Sequence, residues 1–340
     1  MTDATAPAPR RGWWWIGLAI FGLVLSAGLP IASTLLPVHR PLTLLLPSLA
    51  ACALVGWWRG GSLSIAAVTL AGAVFSVWNM TQTGVSNDAL IAGWSVVGGS
   101  CLGLSLMASR SQWFLGKGVV AVLSALIVSA LLLAITPRGF AAFGRTVGTA
   151  VTVRGSADLT NWRVFRSQMA RANSAGGDSA TAAVLDRFEQ KVEALPQLAR
   201  AVLPAVLALQ TLVAMAIAWA LFHRFSRTRL GEELGRLREF RFNDHWIWSV
   251  VVGLVLALLP ALEALRPLGI NLRVFFGALY AIRGAGVLAF FLRPGRSLLG
   301  LLVGIALLLL LRDGAVIALG LVGLGDTWAD WRRRIRPAVS

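Results

Sequence analysis

Nine apolar runs of about membrane-crossing length leave this chain almost no choice of solvent. They cover residues 13–36, 42–58, 61–79, 89–107, 116–136, 199–222, 246–265, 271–292 and 297–325. A helix needs about 20 apolar residues to cross a hydrocarbon layer roughly 30 Å thick. The second run is short for this, and the first and last are long. The N-terminal run reads as a span and not a cleaved signal, because it is too long and no A-x-A site precedes the next run.

Composition agrees. Charged residues are 14% of the chain, apolar residues 57%, and the mean hydropathy is +0.74. Soluble domains carry about 25% charge, so a soluble globule of this composition could not cover its surface. Disorder, a coiled coil and a disulfide-stapled secreted fold are excluded on the same ground. Cys52 and Cys101 sit inside apolar runs without metal-ligand spacing, which makes them core thiols.

Tryptophan checks the segment limits independently, since its ring prefers the headgroup boundary. Trp13, Trp14, Trp15, Trp57, Trp58, Trp78, Trp113, Trp219, Trp246, Trp248, Trp328 and Trp331 lie near segment ends. Trp94 is mid-segment and Trp162 lies in a loop. The Gly99–Gly103 and Gly300–Gly304 patterns let helix backbones approach and predict contacts within the bundle.

The fold class that follows is an all-α polytopic transmembrane helical bundle of eight or nine segments, with one amphipathic extramembrane insertion. Residues 1–136 hold the N-terminal membrane helices and 199–325 the C-terminal ones; 326–340 form a basic interfacial tail. Residues 137–198 form the insertion. There Leu159, Trp162, Phe165 and Met169 recur at helical spacing among arginines, predicting a short helix on the membrane surface. Leu185, Phe188, Val192 and Leu195 mark a second, ending before Pro196.

The chain carries 31 Lys+Arg against 15 Asp+Glu. These bases lie between apolar runs, which suits anionic headgroups and not nucleic acid. Placing the N-terminus in the cytoplasm puts Arg10, Arg11, Arg59, Arg110, Lys117, the arginines from Arg224 to Arg241, Arg293 and Arg296 inside. Nine full spans would leave Arg332, Arg333, Arg334 and Arg336 outside, against the positive-inside rule. Arg312-Asp313-Gly314 interrupts the last run, so two half-helices there, or one segment that fails to span, would bring the tail inside. Both termini cytoplasmic in a multi-pass inner-membrane protein is the expectation, with eight effective spans.

Charges within such segments cost about 2.5–3.5 kcal/mol each on insertion scales and need a reason. Gln210, Arg283, Arg312 and Asp313 lie near the middle of C-terminal segments. They form the candidate site, either a polar cavity for a small solute or a buried ion pair that fixes packing. His39, His223 and His245 are scattered, and no H-E-x-x-H, Walker A, C-x-x-C or G-x-S-x-G motif is present. The expectation is therefore no catalytic residue, no metal, no cofactor and no enzyme.

The C-terminal third also carries a resemblance. Leu237-Arg-Glu-Phe240 followed by Trp246, Asn271-Leu-Arg273, Ala281-Ile-Arg-Gly284 and Gly323-Leu-Gly-Asp326-Thr-Trp-Ala-Asp330-Trp-Arg-Arg are the pieces that carry it. They resemble the YybS-like polytopic bacterial membrane proteins, a group of unknown function. That group is in turn similar to the substrate-binding S components of energy-coupling-factor transporters. The resemblance implies a small-molecule-binding bundle, by analogy of fold. Two functions stay open: solute binding or transport, with a separate energising subunit or an ion gradient, and a scaffold whose basic loops recruit a partner or anionic lipid.

Overall fold

The computed structural model describes residues 41–84, 86–108, 113–172, 179–292 and 314–334. Among these the fold is all-α. The helices are α1 (Pro41–Trp58), α2 (Leu63–Thr81), α3 (Ser86–Ala108), α4 (Phe114–Ile135), α5 (Gly139–Ala172), α6 (Ser179–Phe225), α7 (Ile247–Leu258), α8 (Arg266–Leu292) and α9 (Ala315–Ala329), with a single turn α10 at Trp331–Arg334. Five stretches are long and apolar enough to cross a membrane: Leu63–Thr81, Asp88–Ala108, Phe114–Ile135, Pro196–Phe225 and Pro260–Phe291. The apolar parts of α1, α7 and α9 are shorter. The runs at 13–36 and 297–313 lie outside the described residues, as do the Gly300–Gly304 pattern and the interruption at Arg312 and Asp313.

The core forms where α1, α3, α4, α6 and α8 meet. Cys52, Leu102, Leu106, Phe114, Met215, Trp219 and Phe276 are buried there. Both cysteines are buried and free. Small residues set the closest approaches. A Cβ on Gly99 would lie 3.0 Å from the Pro47 backbone, and one on Gly103 would lie 3.7 Å from the Ala51 methyl. The Gly99–Gly103 stripe therefore faces α1 within the same chain, as its spacing predicted. Trp94, the one mid-segment tryptophan, is buried and donates its Nε1–H to Thr211 Oγ1 at 2.7 Å, joining α3 to α6.

The insertion differs from its expectation. Its two short helices are instead the 34-residue α5 and the first part of the 47-residue α6, which continues through Pro196 and Pro204 into the membrane-length stretch. No helix end falls at residue 198. Proline inside a helix removes one hydrogen bond and crowds the preceding turn. Here its ring is seated on the partner helix: a Cβ on Gly155 would come within 2.5 Å of Pro196 Cγ. The two helices run antiparallel, tied by Arg200 donating to Gly148 O at 3.0 Å and by Arg163 and Arg166 pairing with Glu189. The hydrogen bonds from Arg163 and Arg166 outweigh burial at Glu189 and hold its carboxyl below the ordinary range. Hairpin pairing thus ties the two helices to one another along this region. The stripe of Leu185, Phe188, Val192 and Leu195 lies outside the described side chains.

One end of the bundle gathers most of the described basic loops. Arg59, after α1, donates to Leu106 O in the last turn of α3 and to Leu230 O beyond α6. A Cβ on Gly286, near the end of α8, would meet Leu237 O at 2.5 Å. Arg332 donates to Arg238 O and Phe240 O. The ends of α1, α3, α6, α8 and α9 therefore lie together, with the start of α4 and the 226–246 connection among them. The tail through Arg332 is on this basic end.

Candidate functional site: a buried carboxylate between two arginines

The site begins with two helices that touch backbone to backbone. A Cβ on Gly284 would lie 1.9 Å from Leu319 O, and one on Gly323 would lie 2.0 Å from Tyr280 O. No side chain fits at either position, so α8 and α9 cross on glycine. Gly277 faces Gly320, Tyr280 faces Gly323 and Arg283 faces Asp326. The separation is constant along the contact, so α8 and α9 are parallel. Both enter the bundle at the far end and finish at the basic end.

This register delivers Asp326, in the last turn of α9, to Arg283. Arg283 Nε donates to Asp326 Oδ2 at 3.0 Å and its Nη2 reaches the Asp326 carbonyl at 3.4 Å. Its Nη1 donates to Asp244 Oδ1 at 2.7 Å, and the guanidinium lies over the Phe242 ring at 5.4 Å. Arg283 and Asp326 are buried, while the Asp244 side chain is 59% exposed. Arg283 thus bridges the interior to the water-exposed rim.

A second arginine closes on Asp326 from the tail. Asp330 ends α9 in the left-handed region, at φ 41° and ψ 48°. That conformation costs a side-chain-bearing residue about 1–2 kcal/mol, though Asp and Asn tolerate it better than most. Here it is held by Arg241, which donates to Asp330 Oδ1 at 2.6 Å. The chain reverses, and Arg332 returns to Asp326, donating Nη2–H to Oδ2 at 2.6 Å. Its Nη1 donates to Arg238 O and Phe240 O at 3.1 Å each. Burial alone would raise the Asp326 carboxyl. The hydrogen bonds from Arg332 and Arg283 outweigh it and hold Asp326 below the ordinary carboxylate range.

With Asp244 counted, two arginines face two carboxylates and the cluster is neutral. Breaking such a buried pair costs about 3–5 kcal/mol, because the surviving charge has no replacement solvent. The arrangement joins three pieces of chain: the bundle through Arg283, the 236–244 connection through its carbonyls and Asp244, and the tail through Arg332.

Of the four residues named from sequence, Arg283 is in this cluster. Gln210 is on α6, and its buried Oε1 makes no hydrogen bond. Arg312 and Asp313 lie outside the described residues. Arg283 lies nine residues before the end of α8. The 27 residues of α8 span about 40 Å, more than the hydrocarbon needs, and the 237–244 connection reaches down beside them. Sequence reasoning missed Asp326, Asp244 and Arg332 as partners. A signal existed: the pieces that carry the family resemblance, around 237–240, 281–284 and 323–333, converge here.

The membrane-length helices and their exposed apolar faces define an integral, multi-pass membrane protein. A family model described as "Predicted membrane protein (DUF2232)" matches residues 18–327, and the chain belongs to that family. No curated protein matches the chain, and no solved structure does.

Proposed function

We propose that this protein is a non-enzymatic membrane scaffold of a bacterial inner membrane, presenting a shaped basic surface at its cytoplasmic face. One observation carries this reading: among the described residues, the buried Arg283, Asp326 and Arg332 are committed to one another, to Asp244 and to the carbonyls of the 236–244 connection, so none of these three is left to line a cavity. Asp326 holds the 236–244 connection and the tail as one platform. Arg227, Arg229, Arg236 and Arg238 are exposed on or beside it. The positive-inside rule puts this end in the cytoplasm, and the C-terminus with it. Alkaline phosphatase fused after Ser340 should then be inactive, and strong activity would reverse the orientation. A protein partner or the anionic lipid surface is what such a platform engages; nucleic acid is not expected.

A second reading, solute transport, has a specific observation of its own. Gln210 Oε1, on α6 where it packs against α8, is buried without a hydrogen bond. Buried polar groups are normally satisfied, so unpaired ones mark a place for water or a ligand. The YybS-like resemblance and its link to S components favour this reading, which then requires an energising subunit or an ion gradient. Complementation of a deletion strain separates the two. Charge reversal at Arg227 and Arg236 should abolish complementation by a scaffold while Gln210→Leu preserves it; a transporter gives the opposite pattern.

A further inference from the structure

The N-terminal half holds a second charged cluster at the same end, built on the opposite principle. Lys117, in the first turn of α4, is 2% exposed. Its Nζ donates to Leu230 O at 3.2 Å and lies 5.4 Å from the centre of the Trp219 ring. Arg59 donates to the same carbonyl at 3.3 Å and to Leu106 O at 2.9 Å. Two cations converge on one carbonyl, and among the described residues no carboxylate pairs with either. Carbonyl dipoles stabilise a cation but do not cancel two full charges.

The cluster is held in place. Gly60 adopts φ +89°, and a Cβ on Gly61 would lie 2.7 Å from Thr228 Oγ1, so the 59–62 turn is packed against the 226–230 connection. The Leu230 N–H donates to His223 Nε2 at 3.3 Å, leaving Nδ1–H to donate to Trp219 O at 2.9 Å. A neutral imidazole thus fixes the Leu230 peptide and adds no negative charge. Around the cluster, Trp57, Trp58 and Trp113 are exposed at 45%, 75% and 59%. These rings mark the headgroup level. Arg59 is exposed there, and Lys117 lies beneath it.

We propose that Arg59 and Lys117 form a seat for a phosphate-ester anion at the membrane boundary, and that its occupant is the headgroup of an anionic phospholipid. The phosphate takes the exposed side of the Arg59 guanidinium, and Lys117 contributes charge from below. Basic pockets between membrane helices on the cytoplasmic side select such headgroups. The exposed tryptophans place the seat where a lipid, tethered by its acyl chains, presents phosphate at high local concentration. This inference is independent of the scaffold reading.

The test uses the full chain in nanodiscs of phosphatidylcholine with or without phosphatidylglycerol, reading melting temperature and, by native mass spectrometry, retained phosphatidylglycerol. Wild type should melt higher with phosphatidylglycerol and retain it. Arg59→Gln and Lys117→Met should each weaken retention about fivefold, as expected for one cation near a charged surface. Arg266→Gln, an exposed cation at the start of α8 and at the far end of the bundle, should not. Retention unchanged in the double variant, or lowered as much by Arg266→Gln, would overturn the seat in favour of diffuse attraction. Inorganic phosphate in phosphatidylcholine discs is the second arm: reproduction of the full melting shift would overturn the lipid assignment. Should Lys117→Met fold poorly in phosphatidylcholine, Arg59→Gln alone decides, since its side chain is on the surface.

Discussion

The two charged clusters at the basic end solve the same problem in opposite ways. In the C-terminal half, Arg283 and Arg332 share Asp326, and Asp244 completes neutrality within the chain. In the N-terminal half, Arg59 and Lys117 share a carbonyl and pair with no described carboxylate. The first is a closed lock whose parts need one another. The second tolerates loss of a member, because removing a cation there relieves desolvation and repulsion. The difference teaches that burial of charge is not one kind of evidence: what matters is whether the counter-charge belongs to the chain.

Substitutions break this comparison in a predictable order. Asp326→Asn should have the largest effect, leaving two buried guanidiniums with only the exposed Asp244 as counter-charge, with a loss of about 3–5 kcal/mol. Detergent melting temperature and membrane yield should fall together; a wild-type melting temperature would dissolve the lock. Gly284→Ala comes next. Its Cβ would meet the Leu319 carbonyl, and overpacking of this kind costs about 1–3 kcal/mol. Gly277→Ala in the same helix has nothing within 4 Å of the added atom and serves as the neutral control.

Acid sharpens the comparison. The folded-state carboxyl of Asp326 is depressed by its two arginines, so its contribution is fully present above the unfolded value near 4 and is lost as pH falls below it. The stability difference between wild type and Asp326→Asn should be flat above about pH 5 and shrink below about pH 4. A difference constant down to pH 2 would exclude a carboxyl depressed by its two arginines. Lys117→Met should change stability in phosphatidylcholine by less than about 1 kcal/mol, since a volume-conserving apolar replacement of an unpaired buried charge is near neutral. A loss as large as that of Asp326→Asn would show that the N-terminal cluster is a lock as well. The smallest effect belongs to Glu189→Gln on the α5–α6 hairpin, where the Arg163 and Arg166 side chains are 58% and 35% exposed and solvent screens the pairs. Melting there should be close to wild type and insensitive to salt.

Much of the bundle was legible because the bilayer imposes length. The runs 42–58, 61–79, 89–107 and 116–136 fall within three residues of α1 to α4 at both ends. The chain's interior partners were less legible. Arg283 stood out because charge is rare in apolar sequence, but its partner was sought within the same depth of run, at Asp313. Asp326 was hidden because it sits at the end of a span among tryptophans and arginines, where interfacial anchoring is the common reason for polar residues. Its burial arises from the turn at Asp330 and from the glycine crossing, both products of tertiary packing. Lys117 was hidden likewise: near the start of a run it counted as a loop base, and the descent of Leu230 over it covers it. The hairpin of α5 and α6 escaped because Pro196 reads as a helix end unless Gly155, 41 residues earlier, is known to face it.

The parallel crossing of α8 and α9 also sets an order of events during biosynthesis. Arg283 is made 43 residues before the carboxylate that buries it. For that interval the nascent protein carries a guanidinium whose deep-side partner does not yet exist, with Asp244 alone already synthesised. The 236–244 connection cannot settle until Arg332 arrives to take its carbonyls. Premature termination between residues 284 and 325 therefore leaves Arg283 without its buried carboxylate and a loose basic loop at the same spot, a double mark by which a membrane protease can tell an unfinished chain from a finished one.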